Sequence, residues 1–239
     1  MKYFFNRNGP LLSGYFLFAI GFWIIFLIII PQLYMLDLSF RPNLPPLLRG
    51  GEDDVYTLMH YKHFLYGAES SKDAYNYVDI GVFFDTIITA VLVTIINLCL
   101  CYPIAFYIAK VATPNTARLL IVSLIIPFWI NELLRSFALR ILFAGEGVIN
   151  KFLLGTGLVD TGINFIAMDI ALYTGLTYAY ILLMIFPLYN AIETLDTNQL
   201  EAAKDLGSST LRTHWRIVIP HAKAGIASGS TMVFMLTAG

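Results

Sequence analysis

Three stretches of this chain, Asn8 to Leu36, Thr86 to Ala109 and Ile170 to Ile192, each run for more than twenty residues without a charge. An α-helix rises 1.5 Å per residue, so about 20 apolar residues cross a 30 Å hydrocarbon core. In lipid every backbone polar group has to be paired within its own segment, which leaves helices as the form such runs take. The composition agrees. Only 13% of the 239 residues are charged, against about 25% in soluble domains. The expected fold class is therefore all-α, a polytopic helical membrane protein in one domain over 1–239.

Two further stretches complete the expected set. Leu119 to Phe143 is apolar but carries Glu132, Arg135 and Arg140, and Ala224 to Gly239 is uncharged. The expected spans are 11–36, 86–109, 119–143, 170–192 and 224–239. The first apolar run is longer than the 7–15 residues of a secretory signal, and bulky Pro31-Gln32-Leu33-Tyr34 offers no cleavage site. It is expected to stay as a helix. The last run ends without a polar flank, so one more span is expected to be missing.

Orientation follows from the loops. Lys2 and Arg7, then Lys110 and Arg118, then Lys204, Arg212, Arg216 and Lys223 alternate with the spans. The positive-inside rule puts all three groups, and so the amino terminus, in the cytoplasm. The loop 37–85 holds eight acids against four bases and belongs outside, as does the glycine-rich loop 144–169. The net charge of −1 gives no reason to expect a nucleic-acid partner. Cys99 and Cys101 lie two apart in an apolar run, where they face different ways and cannot pair. His60 and His63 have metal-compatible spacing but no third ligand, and are read as a surface pair; His214 and His221 are read as loop surface.

The loop 193–223 is the richest in information. Asp196 with Gln199, or Asn198 with Glu201, offers a capping box, and Gly207 fits the left-handed position that closes a helix. Ser208 or Ser209 caps a second helix, which Pro220 is expected to end. In it Leu211, Trp215, Val218 and Ile219 are expected to share one apolar face. Such a knob, apolar and set in water, wants a protein groove. An alternative is a helix lying on anionic headgroups through Arg212, Arg216 and Lys223.

Glu201-Ala202-Ala203, Gly207, Ile217 and Ile219-Pro220 resemble the EAA loop of ABC importer permeases: Glu-Ala-Ala, three residues, Gly, nine residues, Ile, one residue, Leu, Pro. Ile219 replaces the leucine. The resemblance implies a type I importer transmembrane fold with six spans. It also implies that Glu201, Ala202, Ala203 and Gly207 meet a cytoplasmic ATPase dimer. Tyr102-Pro103-Ile104-Ala105-Phe106, Pro127-Phe128-Trp129 with Leu133 and Arg135, Gly147-Val148-Ile149-Asn150 and Pro187-Leu188-Tyr189 resemble the spermidine/putrescine-type branch. Phe137-Ala138-Leu139 departs from the more aromatic sequence found there. The implied partners are that ATPase, a second permease subunit and an external solute-binding protein, in a bacterial inner membrane.

Charges inside an apolar stretch usually face a bundle interior or water. Glu132 and Arg135 can share a helix face and partly neutralise each other. With Phe128 and Trp129, Glu132 is a candidate for the path of a cationic solute, because ammonium groups favour carboxylates and aromatic faces. The bland alternative is a pair at the outer interface with Arg135 snorkelling. Gly225 and Gly229 mark close packing, within the bundle or against a second subunit. No phosphate-binding loop of the Gly-x-x-x-x-Gly-Lys-Ser/Thr type occurs, so ATP and Mg are expected on the partner, with no cofactor or metal on this chain. Another solute, a self-sufficient channel or secondary transporter, and an intramembrane enzyme are the competing readings.

Overall fold

The computed structural model describes residues 9–45, 51, 54–67 and 75–239. Lys2 and Arg7, on which the amino-terminal orientation rests, lie outside them. So do residues 46–50, 52–53 and 68–74 of the long polar loop. Among the described residues all regular structure is helical, and the chain divides into two compact units, up to Phe83 and from Phe84 onward.

In the first unit α1 (Pro10–Ile24) continues through a π-helical turn, Ile25–Ile29, into α2 (Ile30–Ser39). This apolar rod, Leu11–Ser39, has 29 residues, and its large side chains are exposed as a lipid-facing helix requires. Beyond it Arg41 is held by Asp37 at 2.8 Å and Asp54 at 2.8 Å, with the Tyr56 ring 4.8 Å from its guanidinium carbon. The short helix α3 (Met59–Tyr66) follows, with His60 Nε2 hydrogen-bonded to the Arg41 carbonyl at 2.8 Å.

The second unit is a bundle around α8 (Ile170–Glu193) and the part from Phe84 onward of α4 (Tyr77–Phe106), with α5, α6 and α7 between them at Pro114–Ile125, Glu132–Leu142 and Val148–Gly155. With its terminal π-helical turn, α4 runs as Tyr77–Val111, 35 residues, starting nine residues before the expected span at 86. Its buried stripe is Ala90, Val93, Asn97, Cys101 and Ala105, at helical spacing and mostly small. Cys101 is buried and Cys99 exposed, as their i and i+2 positions dictate. The stripe meets Leu182, Met184, Ile185, Leu188 and Ile192 of α8 in a common core with Val233 of α12 (Lys223–Ala238).

Gly225 and Gly229 are buried against α8. A Cβ at Gly225 would stand 2.5 Å from the Pro187 carbonyl oxygen and 2.6 Å from the Ala191 methyl, and one at Gly229 3.0 Å from Met184 Sδ. Lipid is as apolar as leucine, so helices in it gain little from burying apolar area and associate through close packing instead. The two glycines permit that approach within the chain.

The stretch expected as one span at 119–143 is not one rod. Helix α5 ends in a 3-10 turn, Ile126–Trp129, and α6 starts afresh at Glu132, bent by 92° from it. Pro127 contributes no amide to that turn, Ile130 is extended, and the Asn131 side chain accepts from Leu133 N at 2.9 Å to cap α6. A local stop and a local start meet there. In the segment 144–169, buried Asn150 donates to the Ile163 carbonyl at 2.8 Å and accepts from Ile163 N at 2.9 Å.

Candidate functional site

Between α8 and α12 the chain folds into a hairpin of short helices. Asp196 accepts from Asn198 N at 3.0 Å and starts α9 (Thr197–Asp205). The end of α9 is closed by Gly207 at φ 73, with Gly207 N donating to the Lys204 carbonyl at 2.8 Å and Ser208 N to Ala203 at 2.9 Å. Those two bonds define a Schellman cap, which satisfies two otherwise orphaned carbonyls. Nothing lies within 4 Å of a Cβ at Gly207, so its φ, and not crowding, selects glycine there. Ser209 accepts from Arg212 N at 3.4 Å and opens α10 (Thr210–Thr213).

The second helix does not end at Pro220. It passes through a π-helical turn, His214–Val218, into α11 (Ile219–His221) and yields only at Ala222. The π turn shifts the hydrogen-bond register, with Ile219 N bonded to the His214 carbonyl, and Pro220, which has no amide to donate, follows directly after that shift. The wider turn also splits the expected apolar face. Leu211 and Trp215 are 71% and 65% exposed, whereas Val218 is buried in the bundle core and Ile219 half-buried. Leu206, in the bend beside Gly207, is 88% exposed. Glu201 and Ala202 face outward while Ala203 is buried. The hairpin thus presents apolar groups together with acids (Glu201, Asp205) and bases (Lys204, Arg212, Arg216) on a capped frame.

Two contacts that the sequence did not disclose fix this hairpin to the bundle, and a third, from His221, ties its two ends together. Lys110 Nζ donates to the Glu193 carbonyl at 3.0 Å and to that of Leu195, placing a cation on the end of α8 where the helix dipole favours it. His221 Nε2 bonds Thr194 Oγ1 at 3.1 Å. His214, expected at the surface, instead packs on α4: its Nδ1 lies 2.7 Å from Tyr102 Oη and its ring centroid 4.4 Å from that of Phe106. Burial there holds the imidazole below its ordinary pKa, because a low-dielectric surrounding disfavours the cation.

At the break between α5 and α6, Glu132 occupies the first turn of α6, where an anion meets the positive end of the helix. Arg135 does not pair with it; among the described residues no ion pair joins them. The guanidinium lies 5.7 Å from the Phe128 ring and 5.5 Å from Tyr178 of α8, a cation–π arrangement. Glu132 and Arg135 line a cavity of about 300 Å³ against Gly175, Leu176 and Ala179 of α8. Phe128 and Arg135 share a smaller one of about 100 Å³. Trp129 lines neither and is 87% exposed.

Residues 80–239, which hold both the hairpin and the broken helix, match the family described as binding-protein-dependent transport system inner membrane component. The chain belongs to this family. As a member it is an all-α, polytopic membrane component of a transport system rather than an enzyme. It is 35% identical over 224 residues to the spermidine/putrescine transport system permease protein PotB of Escherichia coli, covering 91% of this chain and 74% of that one. The PotB of Haemophilus influenzae is 32% identical over 217 residues, 91% of this chain and 71% of its own. The inner membrane ABC transporter permease protein YdcU of E. coli is 28% identical over 176 residues, 69% and 56% of the two chains.

Proposed function

We propose that this family member is a permease subunit of an ATP-driven importer and forms part of the path for a polyamine such as spermidine or putrescine. The observation that carries the reading is the hairpin: Leu206, Leu211 and Trp215 are exposed beside outward-facing Glu201 and Ala202 on a frame rigidly capped at Gly207. Apolar side chains held out in water by capped helices are a surface prepared for a protein groove. The groove belongs to a cytoplasmic ATPase dimer, which supplies ATP and Mg. Ile217 and Pro220 carry the hairpin back to α12. A second permease subunit completes the bundle, and a solute-binding protein delivers cargo from outside.

The chain sits in a bacterial inner membrane with its amino terminus and the hairpin in the cytoplasm, following its loop charges. The polyamine assignment rests on the PotB relatives and on chemistry. Glu132 offers a carboxylate in the cavity against α8 and Trp129 an exposed ring at the same broken helix, while the Phe128 ring already faces the Arg135 guanidinium at 5.7 Å. Extended polycations are stabilised by both kinds of group. The test is uptake of radiolabelled putrescine by the reconstituted transporter. Glu201→Lys and Gly207→Asp are expected to abolish uptake while membrane insertion persists. Normal uptake by both, with an ATPase still co-purifying, would overturn the coupling role.

A further inference from the structure

We infer that His214 is a positioning residue that ties the hairpin to α4, so that displacement of the hairpin is delivered to that helix at Tyr102 and Phe106. The inference rests on the proposed ATPase coupling and deepens it. Tyr102 and Phe106 are four residues apart and so share one face of α4, on either side of Pro103. The imidazole meets both rings edge-on, at 5.7 Å and 67° to Tyr102 and at 4.4 Å and 60° to Phe106. Its Nδ1 closes the 2.7 Å hydrogen bond to Tyr102 Oη.

The position of His214 in the hairpin makes the contact mechanical. On one side of it Thr213 is buried, its hydroxyl bonded to the Ser209 carbonyl at 3.2 Å. On the other side Trp215 is 65% exposed. A partner that grips Trp215 therefore moves His214 by the intervening peptide bond. The hairpin's ends continue covalently into α8 and α12, whereas α4 is distant in sequence and is reached through side chains. Pro103 removes one backbone hydrogen bond from α4 within this contact, and a π-helical turn follows at Tyr107–Val111. The joint thus acts on the part of α4 where the ladder is already interrupted, and such interruptions are where helices bend.

The test uses the complete transporter, purified with its ATPase and reconstituted, with radiolabelled putrescine as the probe. The quantity read is solute moved per ATP hydrolysed, beside the amount of bound ATPase. In His214→Ala the ratio is expected to fall roughly tenfold, within the 5–150-fold range of coupling free energies, while the ATPase stays bound. Tyr102→Phe, which removes one hydroxyl remote from the docking surface, is expected to give a smaller fall. The double variant is expected to be no worse than His214→Ala, because both remove one contact. His214→Asn, which keeps a polar atom near the Nδ1 position, is expected to recover part of the ratio.

Wild-type ratios in both His214→Ala and Tyr102→Phe would overturn the joint and leave the transport reading standing. Loss of bound ATPase from His214→Ala, with Tyr102→Phe fully coupled, would overturn it as well, since the contact would then serve only to fold the hairpin. A wild-type complex that holds no ATPase and moves no solute with ATP would overturn the transport reading itself and the joint with it.

Discussion

Glycine is used for opposite reasons in the two regions that matter most. At Gly225, in the α8–α12 seam, the conformation is ordinary helix and space is absent: the Pro187 oxygen would stand 2.5 Å from an added Cβ. At Gly207, in the hairpin, space is plentiful and the conformation is exceptional, φ 73. The seam is built to be immobile, because neither partner is a flexible side chain end. The hairpin is built to be rigid within itself and open to a visitor. Close packing and local capping are different routes to stiffness, and only the second leaves a surface available.

The sharpest way to break this contrast is to make the same substitution at both sites. Gly225→Ala forces a Cβ into backbone, and overpacking of that kind costs about 1–3 kcal/mol. Gly207→Ala meets no atom and pays only the left-handed strain, about 1–2 kcal/mol. Thermal unfolding in detergent should show the larger loss at Gly225, with folded yield following it, whereas Gly207→Ala should lose uptake out of proportion to stability. Equal losses at the two sites would remove the distinction.

Where the regions join, Lys110 carries two hydrogen bonds to the last carbonyls of α8. Bonds to charged groups are worth about 1.5–3 kcal/mol each at most, and much less where water competes. Lys110→Met is expected to lower stability modestly and to make the Thr194–Asp196 backbone exchange its amides faster, while amides in the α8–α12 seam keep their protection. Uniform loss of protection would mean that hairpin and bundle are one cooperative unit.

The smallest effect concerns acid. Burial lowers the His214 pKa from its ordinary value of 6.5, so the packed state prefers the neutral ring and Tyr102 is the titratable group in contact with it. The contact is complete above the ordinary value and is lost as pH falls through it toward the depressed one. Solute moved per ATP should be flat from about pH 8 to 7 and decline below about 6.5. His214→Asn should lack that acid limb.

Much of the hairpin was legible because caps and turns are local. Asp196, Gly207 and Ser209 act on amides and carbonyls within a few residues, as their positions predict, although Asp196 caps through Asn198 N and not through the expected box with Gln199. The apolar face did not survive, because nothing in His214–Val218 announces a π-helical turn, and that turn carries Val218 inward while Trp215 stays out. The bundle was legible as helices and illegible as packing. In a helix apolar on every side periodicity marks no inner face, and only small residues such as Ala90, Cys101 and Ala105 hint at it. His214 and Lys110 were read by charge class alone; their partners lie 112 and 83 residues away in the chain. The break at Trp129 had its signals in Pro127 and Asn131, but an apolar run of spanning length outweighed them.

That break has a consequence for the lipid. Where α5 stops and α6 begins, a set of amides and carbonyls lacks helical partners, and the Asn131 side chain answers only one of them. Hydrocarbon offers them nothing, at several kcal/mol apiece, so oil cannot be the sole neighbour of residues 126–131. Thickening the bilayer would drown this corner first, and transport should falter in long-chain lipids before the 35-residue span of α4 registers any mismatch.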